Sequence, residues 1–146
     1  MNPRATLAVV GAAVCLLLAP IVGAAAQDAS FDTSRTVTLK GRVATVVLQY
    51  TDRTFLMLDV EGPAGRERWA IEGNGATALG WAPASLPLKL GETVSVDVFR
   101  ARPGANLADL VPVDHASLQE IAKAGRLARG LDLTFADGRK LAFGSR

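Results

Sequence analysis

A strand-like stretch, Arg66–Glu72, constrains the fold of this chain more than any other feature. Its alternation places Trp69 and Ile71 on one face, where we predict core, and arginine, alanine and glutamate on the other. The glycine-rich exit Gly73–Gly75 and the later Gly80 predict a turn followed by a short helical connection. Because strand-like segments lie on both sides in sequence, we expect this strand at the middle of a small barrel.

The preceding residues predict two more strands. Thr36–Leu48 is rich in valine, threonine and leucine, and Gly41 inside it suggests a bulge or a sharp coil in the strand. Tyr50–Arg53 is typical of a hairpin connection, and Thr54–Val60 is the second strand, with apolar residues on both faces. The Pro and Gly residues of Glu61–Gly65 then predict the turn into the third strand.

The second half of the chain predicts a further strand, an edge strand and a helix. Thr93–Phe99 alternates cleanly, with Val94, Val96 and Val98 expected to face inward. Asn106–Val113 is predicted as a short edge strand, and Ser117–Ala128 has helical hydrophobic spacing.

The ends of this helix also have sequence signals. Ser117 and Glu120 predict a capping box at its start, and Gly130 is expected at its C-cap. Lys123, Arg126 and Arg129 suit the helix dipole at its C-terminal end.

The closing segment predicts a hairpin, since Leu131–Phe135 and Lys140–Phe143 flank Asp137-Gly138, a type I′ turn signal. The predicted fold class is therefore mainly β: a small OB-like five-stranded barrel, with a short helix between strands 3 and 4 and a C-terminal helix plus hairpin. We expect a flexible arm at 27–35 and a single domain at 36–146.

The first 26 residues have the pattern of a cleaved signal peptide. Arg4 supplies the positive charge, Leu7–Val22 is the apolar region, and Ala24–Ala26 offers small residues for cleavage before Gln27. The alternative is an uncleaved anchor, but the run is shorter than the ~20 apolar residues of a spanning helix. The expected location is the periplasm, with no stable membrane insertion after cleavage.

Composition excludes some functions. The only cysteine is Cys15, inside the apolar leader, so a cleaved chain has no thiol chemistry and no disulfide. The formal net charge of +2 gives no basic signature for nucleic-acid binding. No cofactor-binding fingerprint is present, and we expect no cofactor.

Several short motifs together resemble a family of small exported bacterial proteins of uncharacterised function. They span roughly residues 27–102, with a further match at Ala136–Arg139, and comprise Leu58-Asp59-Val60, Trp69-Ala70-Ile71-Glu72-Gly73, Gly80-Trp81 and Leu90-Gly91-Glu92-Thr93-Val94. The resemblance implies histidines in an Ala-His-His-Ser-Phe motif and an Asn-Pro-His motif, natural candidates for a metal site. This chain has Gln27–Phe31 and Thr51–Arg53 at those places, without histidine. The resemblance also implies that the helical segment at about 114–130 is an insertion into the single domain.

The candidate chemical groups are few. His115 is the only histidine, and we interpret it as an exposed residue before the helix, since it lacks the partners of a metal ligand or general base. Asp52, Asp59 and Glu61 are interpreted as solvated turn carboxylates rather than a calcium site. Gly73–Gly75 is interpreted as a strand exit rather than an anion-cradling turn.

The candidate ligand or partner surface lies on the outer face of strands 2 and 3, the usual binding face of OB-type barrels. It consists of Tyr50, Phe55, Met57, Arg66, Arg68 and Trp81. The alternative is that the C-terminal helix covers this face, because its apolar residues, Leu118, Ile121 and Ala122, need a packing partner. If the face is exposed, replacing Phe55 and Met57 by Asp leaves the fold intact; if it is core, the variant unfolds.

We therefore expect a periplasmic, non-enzymatic binding or accessory module that acts on an unknown protein or small molecule, and not on nucleic acid. A metal-handling exported protein is the alternative, disfavoured by the missing His and Cys residues. A hydrolase ranks last, because no nucleophile and base are paired in the sequence.

Overall fold

A computed structural model describes residues 29–48 and 52–146. The predicted signal peptide, residues 1–26, lies outside the described residues. The described elements are β1 (Phe31–Leu48), β2 (Arg53–Gly62), β3 (Gly65–Asn74), α1 (Ala76–Leu79), β4 (Thr93–Ala101), a 3₁₀ helix (Leu107–Leu110), α2 (Ala116–Lys123), β5 (Leu127–Phe135) and β6 (Lys140–Ala142). The protein is therefore mainly β, as predicted.

The six strands form one sheet in the order β3-β2-β1-β4-β5-β6. The sheet closes into a ring because β3 also pairs with β5, in parallel, through Ala70–Glu72 and Leu127–Arg129. All other strand pairs are antiparallel. This short parallel seam brings the end of β3 beside the start of β5, which positions the site described below.

The first strand serves both halves of the ring. It pairs with β4 from Phe31 to Arg42 and with β2 from Gly41 to Leu48. The register shift in the β1–β2 pairing lies between Val43 and Thr45, so the bulge predicted at Gly41 is at Ala44 instead. Gly41 has a different role: an added Cβ would overlap the carbonyl oxygen of Asp59, so β2 approaches too closely for a side chain.

The expected flexible arm is partly wrong. β1 begins at Phe31, five residues earlier than predicted, and the Phe31 side chain is fully buried. A single large aromatic residue holds this end of the strand, although its polar neighbours gave no periodic signal.

The segment predicted as an edge strand at Asn106–Val113 contains the 3₁₀ helix instead. Leu107 and Val111 are the buried residues there. A spacing of four fits one face of a helix and one face of a strand equally well, so these two residues do not distinguish the two structures in sequence.

The second helix is shorter than predicted. It runs from Ala116 to Lys123 and is capped by His115, whose Nδ1 accepts a hydrogen bond from the Leu118 amide at 3.3 Å. Ala124 is the C-cap, and the chain turns away from the helix at Gly125, which has φ 77°. The Gly125 amide donates to the Ala122 carbonyl, and the Arg126 amide donates to the Ile121 carbonyl. This pair of bonds is a Schellman motif, so the helix stops before Gly130, which is not its C-cap. At the other end His115 is the N-cap, so the predicted capping box of Ser117 does not form.

The predicted hairpin at Asp137-Gly138 is present between β5 and β6, but its turn type differs. Type I′ requires positive φ at both central residues, and among the described residues only glycines have positive φ. Phe135 and Arg139 close a three-residue loop in which Gly138 has φ 89°, the geometry of a type I turn followed by a bulge.

Two apolar layers pack on the two sides of the sheet. The inner core fills the ring and includes the residues predicted to face inward, Val94, Val96, Val98, Trp69 and Ile71, together with Leu56 and Leu58. The outer core lies between the sheet, α2 and the 3₁₀ helix; it comprises Phe31, Phe55, Met57, Ala70, Phe99, Leu107, Val111, Leu118, Ile121, Ala122, Leu127 and Leu131.

Candidate functional site

The predicted surface around Phe55 and Met57 is covered. Phe55 is fully buried and Met57 is 2% exposed, because both belong to the outer core beneath α2. Leu118 and Ile121 pack in the same cluster. A hydrophobic helix face needed a partner, and this face of β2 supplies it. The binding-surface interpretation of these two residues is therefore wrong.

The other residues of that predicted surface lie apart. Trp81 is buried in the inner core, with its ring centroid 5.7 Å from that of Phe143. Tyr50 lies outside the described residues. Arg66 and Arg68 remain exposed, but Arg66 faces Glu61 at 3.6 Å and Arg68 faces Asp59 at 2.8 Å. The six residues do not form one surface.

The Arg68–Asp59 pair has a definite electrostatic consequence. Arg68 donates Nε to Oδ1 at 2.8 Å and a terminal nitrogen to Oδ2 at 3.1 Å. These charge-assisted hydrogen bonds hold the pKa of Asp59 below its usual value and raise that of Arg68. The pair ties β2 to β3 on the outer face, beyond the area that α2 covers.

The remaining sequence candidates have structural roles or stay dispersed. His115 caps α2 rather than standing free before it. The backbone N–H of Asn74 donates a hydrogen bond to the Phe143 carbonyl at 2.8 Å, which fits the strand-exit interpretation of Gly73–Gly75. Within 29–48 and 52–146, no three His, Cys, Asp or Glu side chains are grouped so that they could hold a metal ion.

A cleft of about 690 Å³ opens where the ends of β3 and β6 meet β5. Its charged lining residues are Asp52, Arg53, Glu72, Arg129 and Arg146, with Thr33, Asn74 and Ser145 supplying further polar groups. Three glycines, at 73, 130 and 144, also line it, and two of them, Gly73 and Gly130, are buried. Nearly all of these residues come from strands or their ends, which are rigid supports.

An arginine–glutamate cluster forms one wall of the cleft. Arg53 contacts the Oε2 of Glu72 at 3.2 Å, and Nε of Arg129 lies 3.8 Å from Oε1. Arg53 also donates to the Leu110 carbonyl of the 3₁₀ helix. The cluster therefore joins β2, β3, β5 and the segment that covers the outer core.

The parallel seam explains why these three side chains meet. Glu72 lies opposite Arg129 on β5 and opposite Phe55 on β2. Arg53 is two residues before Phe55 and therefore on the same face of β2, so the three charged side chains share the outer face. The side chains of Glu72, Arg129 and Arg53 are 11, 15 and 26% exposed, respectively. Two guanidinium groups therefore flank one carboxylate in a partly desolvated place, where charge–charge interactions are stronger than in water.

Aromatic rings support both arginines from behind. The guanidinium carbon of Arg129 lies 4.7 Å from the Phe31 ring centroid, and that of Arg53 lies 5.4 Å from the Phe55 centroid. Such stacking holds the planar groups in place without using their hydrogen-bond donors. A guanidinium held in this way is suited to carboxylate or phosphate recognition.

Sequence reasoning missed this cluster. Arg53 was assigned to a hairpin connection, and Arg129 to the helix C-terminus, which in fact ends before it, at Gly125. Only Glu72 gave a signal, as a carboxylate on the outer face of a strand whose neighbours are buried. An acidic residue at such a position needs a cationic partner, but sequence alone does not name the partner.

The family model of DUF6152, a family of unknown function, matches residues 15–109 of the chain. This match covers more than half of the chain. The protein belongs to DUF6152. Arg53 and Glu72 lie inside the matched segment of this DUF6152 protein, whereas α2 and Arg129 lie beyond it. The cleft therefore combines the matched segment with the part of the chain that follows.

No curated protein and no solved structure matches this DUF6152 chain. A search of the described residues for helices long and apolar enough to cross a membrane finds none.

Proposed function

We propose that this DUF6152 protein is an exported, non-enzymatic binding module of the periplasm that takes a small anionic ligand in the cleft of Arg53, Glu72 and Arg129. The observation that carries the proposal is the cluster of two arginines and one glutamate, partly buried in the wall of a cleft of about 690 Å³. Ligand cavities of drug-sized molecules range from about 300 to 1,000 Å³.

The ligand class follows from the chemistry of the cleft. Guanidinium groups recognise carboxylate and phosphate through paired N–H···O hydrogen bonds, and two of them lie side by side in this wall. Asn74 and Ser145, which are hydrogen-bonded to each other at 3.1 Å, supply neutral polar groups nearby. Phe99 in the lining gives an apolar contact for the body of the ligand.

A binding role is favoured over catalysis by the engagement of Glu72, the cleft carboxylate that lies within the arginine cluster. Each oxygen of Glu72 already faces an arginine, so the group serves as a charge partner rather than as a base directed at a substrate. His115 is engaged at the start of α2, and it is not among the cleft residues.

The scaffold in this proposal is an OB-like five-stranded barrel with β6 added at its edge. The closed pairing of β1 with β2 and β4, together with the β3–β5 seam, supports this assignment. So does the short helix between β3 and β4. In OB-type barrels the face of strands 2 and 3 binds ligands; here α2 covers the middle of that face, and the cleft lies at its end.

A titration tests the proposal. Citrate and inorganic phosphate are titrated separately into the mature protein by calorimetry, beside the Arg129→Gln variant, which leaves Glu72 paired with Arg53. We expect at least one anion to bind and the variant to lose about tenfold in affinity, equivalent to ~1.4 kcal/mol. Arg139→Gln is the control, because Arg139 lies in the β5–β6 hairpin and pairs with Asp137.

Native mass spectrometry of protein purified gently from the periplasm adds a second readout. It reports the cleavage site and any retained ligand in one measurement. An anion of a few hundred daltons supports the proposal, while a retained metal ion would contradict it. Failure of both citrate and phosphate to bind, with no retained small molecule, would also overturn it.

A further inference from the structure

The ring of strands is closed over only a short length. The seam between β3 and β5 pairs Ala70–Glu72 with Leu127–Arg129. Within the described residues, the part of β3 before Ala70, Gly65–Trp69, pairs only with β2. The first half of β3 is therefore an open edge of the sheet.

The orientation of the backbone along this open edge follows from the bonds further along β3. The Ala70 amide donates away from β2, to the Arg126 carbonyl at 3.0 Å, and the Asn74 amide donates to Phe143 at 2.8 Å. Because the strand repeats every two residues, the backbone groups of Arg66 and Arg68 point the same way. These N–H and C=O groups are available to a further strand.

A basic groove of about 450 Å³ lies beside the end of the seam. It is lined by Arg35, Arg100, Arg102 and Asp32, with Val37, Ala101, Pro103 and Gly125 completing its walls. Gly125 precedes Arg126, the residue that bonds Ala70. The Arg100 guanidinium lies 5.0 Å from the ring centroid of Trp69, on the open edge itself. The groove and the edge therefore adjoin.

The charge of the groove is unbalanced. Three guanidinium groups face a single carboxylate, giving a net charge of +2. Among the described residues, no carboxylate lies within ion-pair distance of Arg35 or Arg100, and Asp32 is engaged by the amide and hydroxyl of Ser34. This groove shares no residue with the proposed ligand cleft.

We infer that the open edge of β3 and the basic groove together form a docking site for an extended acidic segment of a partner protein. The segment pairs as a strand with Arg66 and Arg68, and its carboxylates contact Arg35 and Arg100. Strand addition to an exposed edge gives affinity through the backbone, and the charged groove supplies selectivity. Charge complementarity with the groove favours this occupant over a second copy of the protein, whose own edge, Gly65–Trp69, has two arginines and one glutamate and so no excess of carboxylates.

The test uses a capped eight-residue peptide of alternating Glu and Thr as the probe, and the same peptide with Gln in place of Glu as the matched control. Amide exchange and chemical shifts of the protein are recorded by NMR during the titration. We expect the acidic peptide to bind and to slow the exchange of the Arg66 and Arg68 amides at least tenfold. The Gln peptide is expected to bind at least tenfold more weakly.

Variants separate the two parts of the site. Arg35→Gln, at an exposed position, is expected to weaken the acidic peptide several-fold, and Arg35→Gln with Arg100→Gln at least tenfold. Arg66→Pro removes an outward amide and is expected to abolish protection of the edge. Arg139→Gln is the control for loss of one positive charge, and thermal unfolding without peptide checks that each variant folds.

Three results would overturn the inference: no binding of the acidic peptide at millimolar concentration, equal binding of the Gln peptide, or binding without protection of the two amides. In the last case the groove is a small-anion site, and citrate should produce the same shifts. Saturating the other cleft with citrate is expected to leave peptide affinity unchanged, so this test is independent of the proposed ligand cleft.

Discussion

The two apolar layers on either side of β2 are built in different ways. The inner core is supplied mainly by alternating residues of the strands, such as Leu56 and Leu58, whose partners lie in neighbouring strands. The outer core joins Phe55 and Met57 to α2 and the 3₁₀ helix, which follow about 50 residues later in the chain. Strand periodicity therefore specifies the first layer, while only tertiary packing specifies the second.

The largest effect on stability is expected from placing charged side chains in the outer core. Replacing Phe55 and Met57 together by Asp buries two carboxylates in the apolar outer core, and the desolvation of each costs several kcal/mol. Since domains are stable by only ~5–15 kcal/mol, we expect the variant to be unfolded in circular dichroism and NMR spectra. This reverses the outcome expected for an exposed surface.

The control is the pair Thr36→Asp and Ala142→Asp, which adds the same two charges at exposed positions. This control is expected to stay folded. If the Phe55 and Met57 variant also keeps a cooperative transition and dispersed spectra, α2 does not cover β2 in solution, and the outer layer is not core.

The inner core has its own sensitive point at Phe143, which fills the ring where two strands carry glycine. A Cβ at Gly73 would lie 2.5 Å from its ring, and one at Gly130 2.6 Å. We expect Phe143→Ala to lower the free energy of unfolding by about 3–5 kcal/mol, measured by urea denaturation. Gly73→Ala overpacks the same place and is expected to cost about 1–3 kcal/mol.

The double variant sharpens this assignment. With Phe143 reduced to Ala, the methyl group at position 73 enters vacated space, so the combined loss should fall short of the sum by at least ~0.5 kcal/mol. Strictly additive losses would mean that the ring does not occupy the place that the glycines leave open.

The same contrast explains what sequence could predict. The valines of β4, together with Trp69 and Ile71, were placed correctly, because a strand with a buried face needs only its own alternation to reveal it. Gly73 was predicted only as a turn residue, although a distant phenylalanine explains its lack of a side chain. The 3₁₀ helix was missed because Leu107 and Val111 gave too short a pattern to distinguish it from a strand.

The cleft was unpredictable for a related reason. Arg129 meets Glu72 only because of the parallel seam, and no local pattern in either segment sets that register. The predicted helix extended to Ala128, which placed Arg129 at a helix end. The available signal was Gly125, two residues after Lys123, because a glycine after a basic last turn is typical of a helix end. A helix that ends there leaves Leu127 as the start of β5, before Arg129.

A smaller effect tests how α2 is held over the outer core. His115→Ala removes the acceptor of the Leu118 amide and is expected to cost about 1 kcal/mol, seen as a lower urea midpoint and faster exchange of that amide. His115→Asn supplies another capping oxygen and should recover most of the loss. Equal destabilisation by Ala and Asn would show that the imidazole acts by packing rather than by capping.

The smallest expected effect concerns the outer face beyond the cover of α2, where Arg68 holds the pKa of Asp59 below its usual value. A carboxylate with a lowered folded-state pKa stabilises the protein above its unfolded value, here 3.8, and this stabilisation is lost as pH falls through the folded value. Because Arg68 is half exposed, the contribution is only about 0.2–1 kcal/mol.

The stability difference between the natural protein and Asp59→Asn should therefore be present at pH 6 and shrink under acid, as measured by urea denaturation at several pH values. Glu61→Gln, at the more exposed and longer Arg66 pair, should change stability less at every pH. A difference for Asp59→Asn that grows as pH falls would contradict the pairing, since protonation removes the charge that Arg68 contacts.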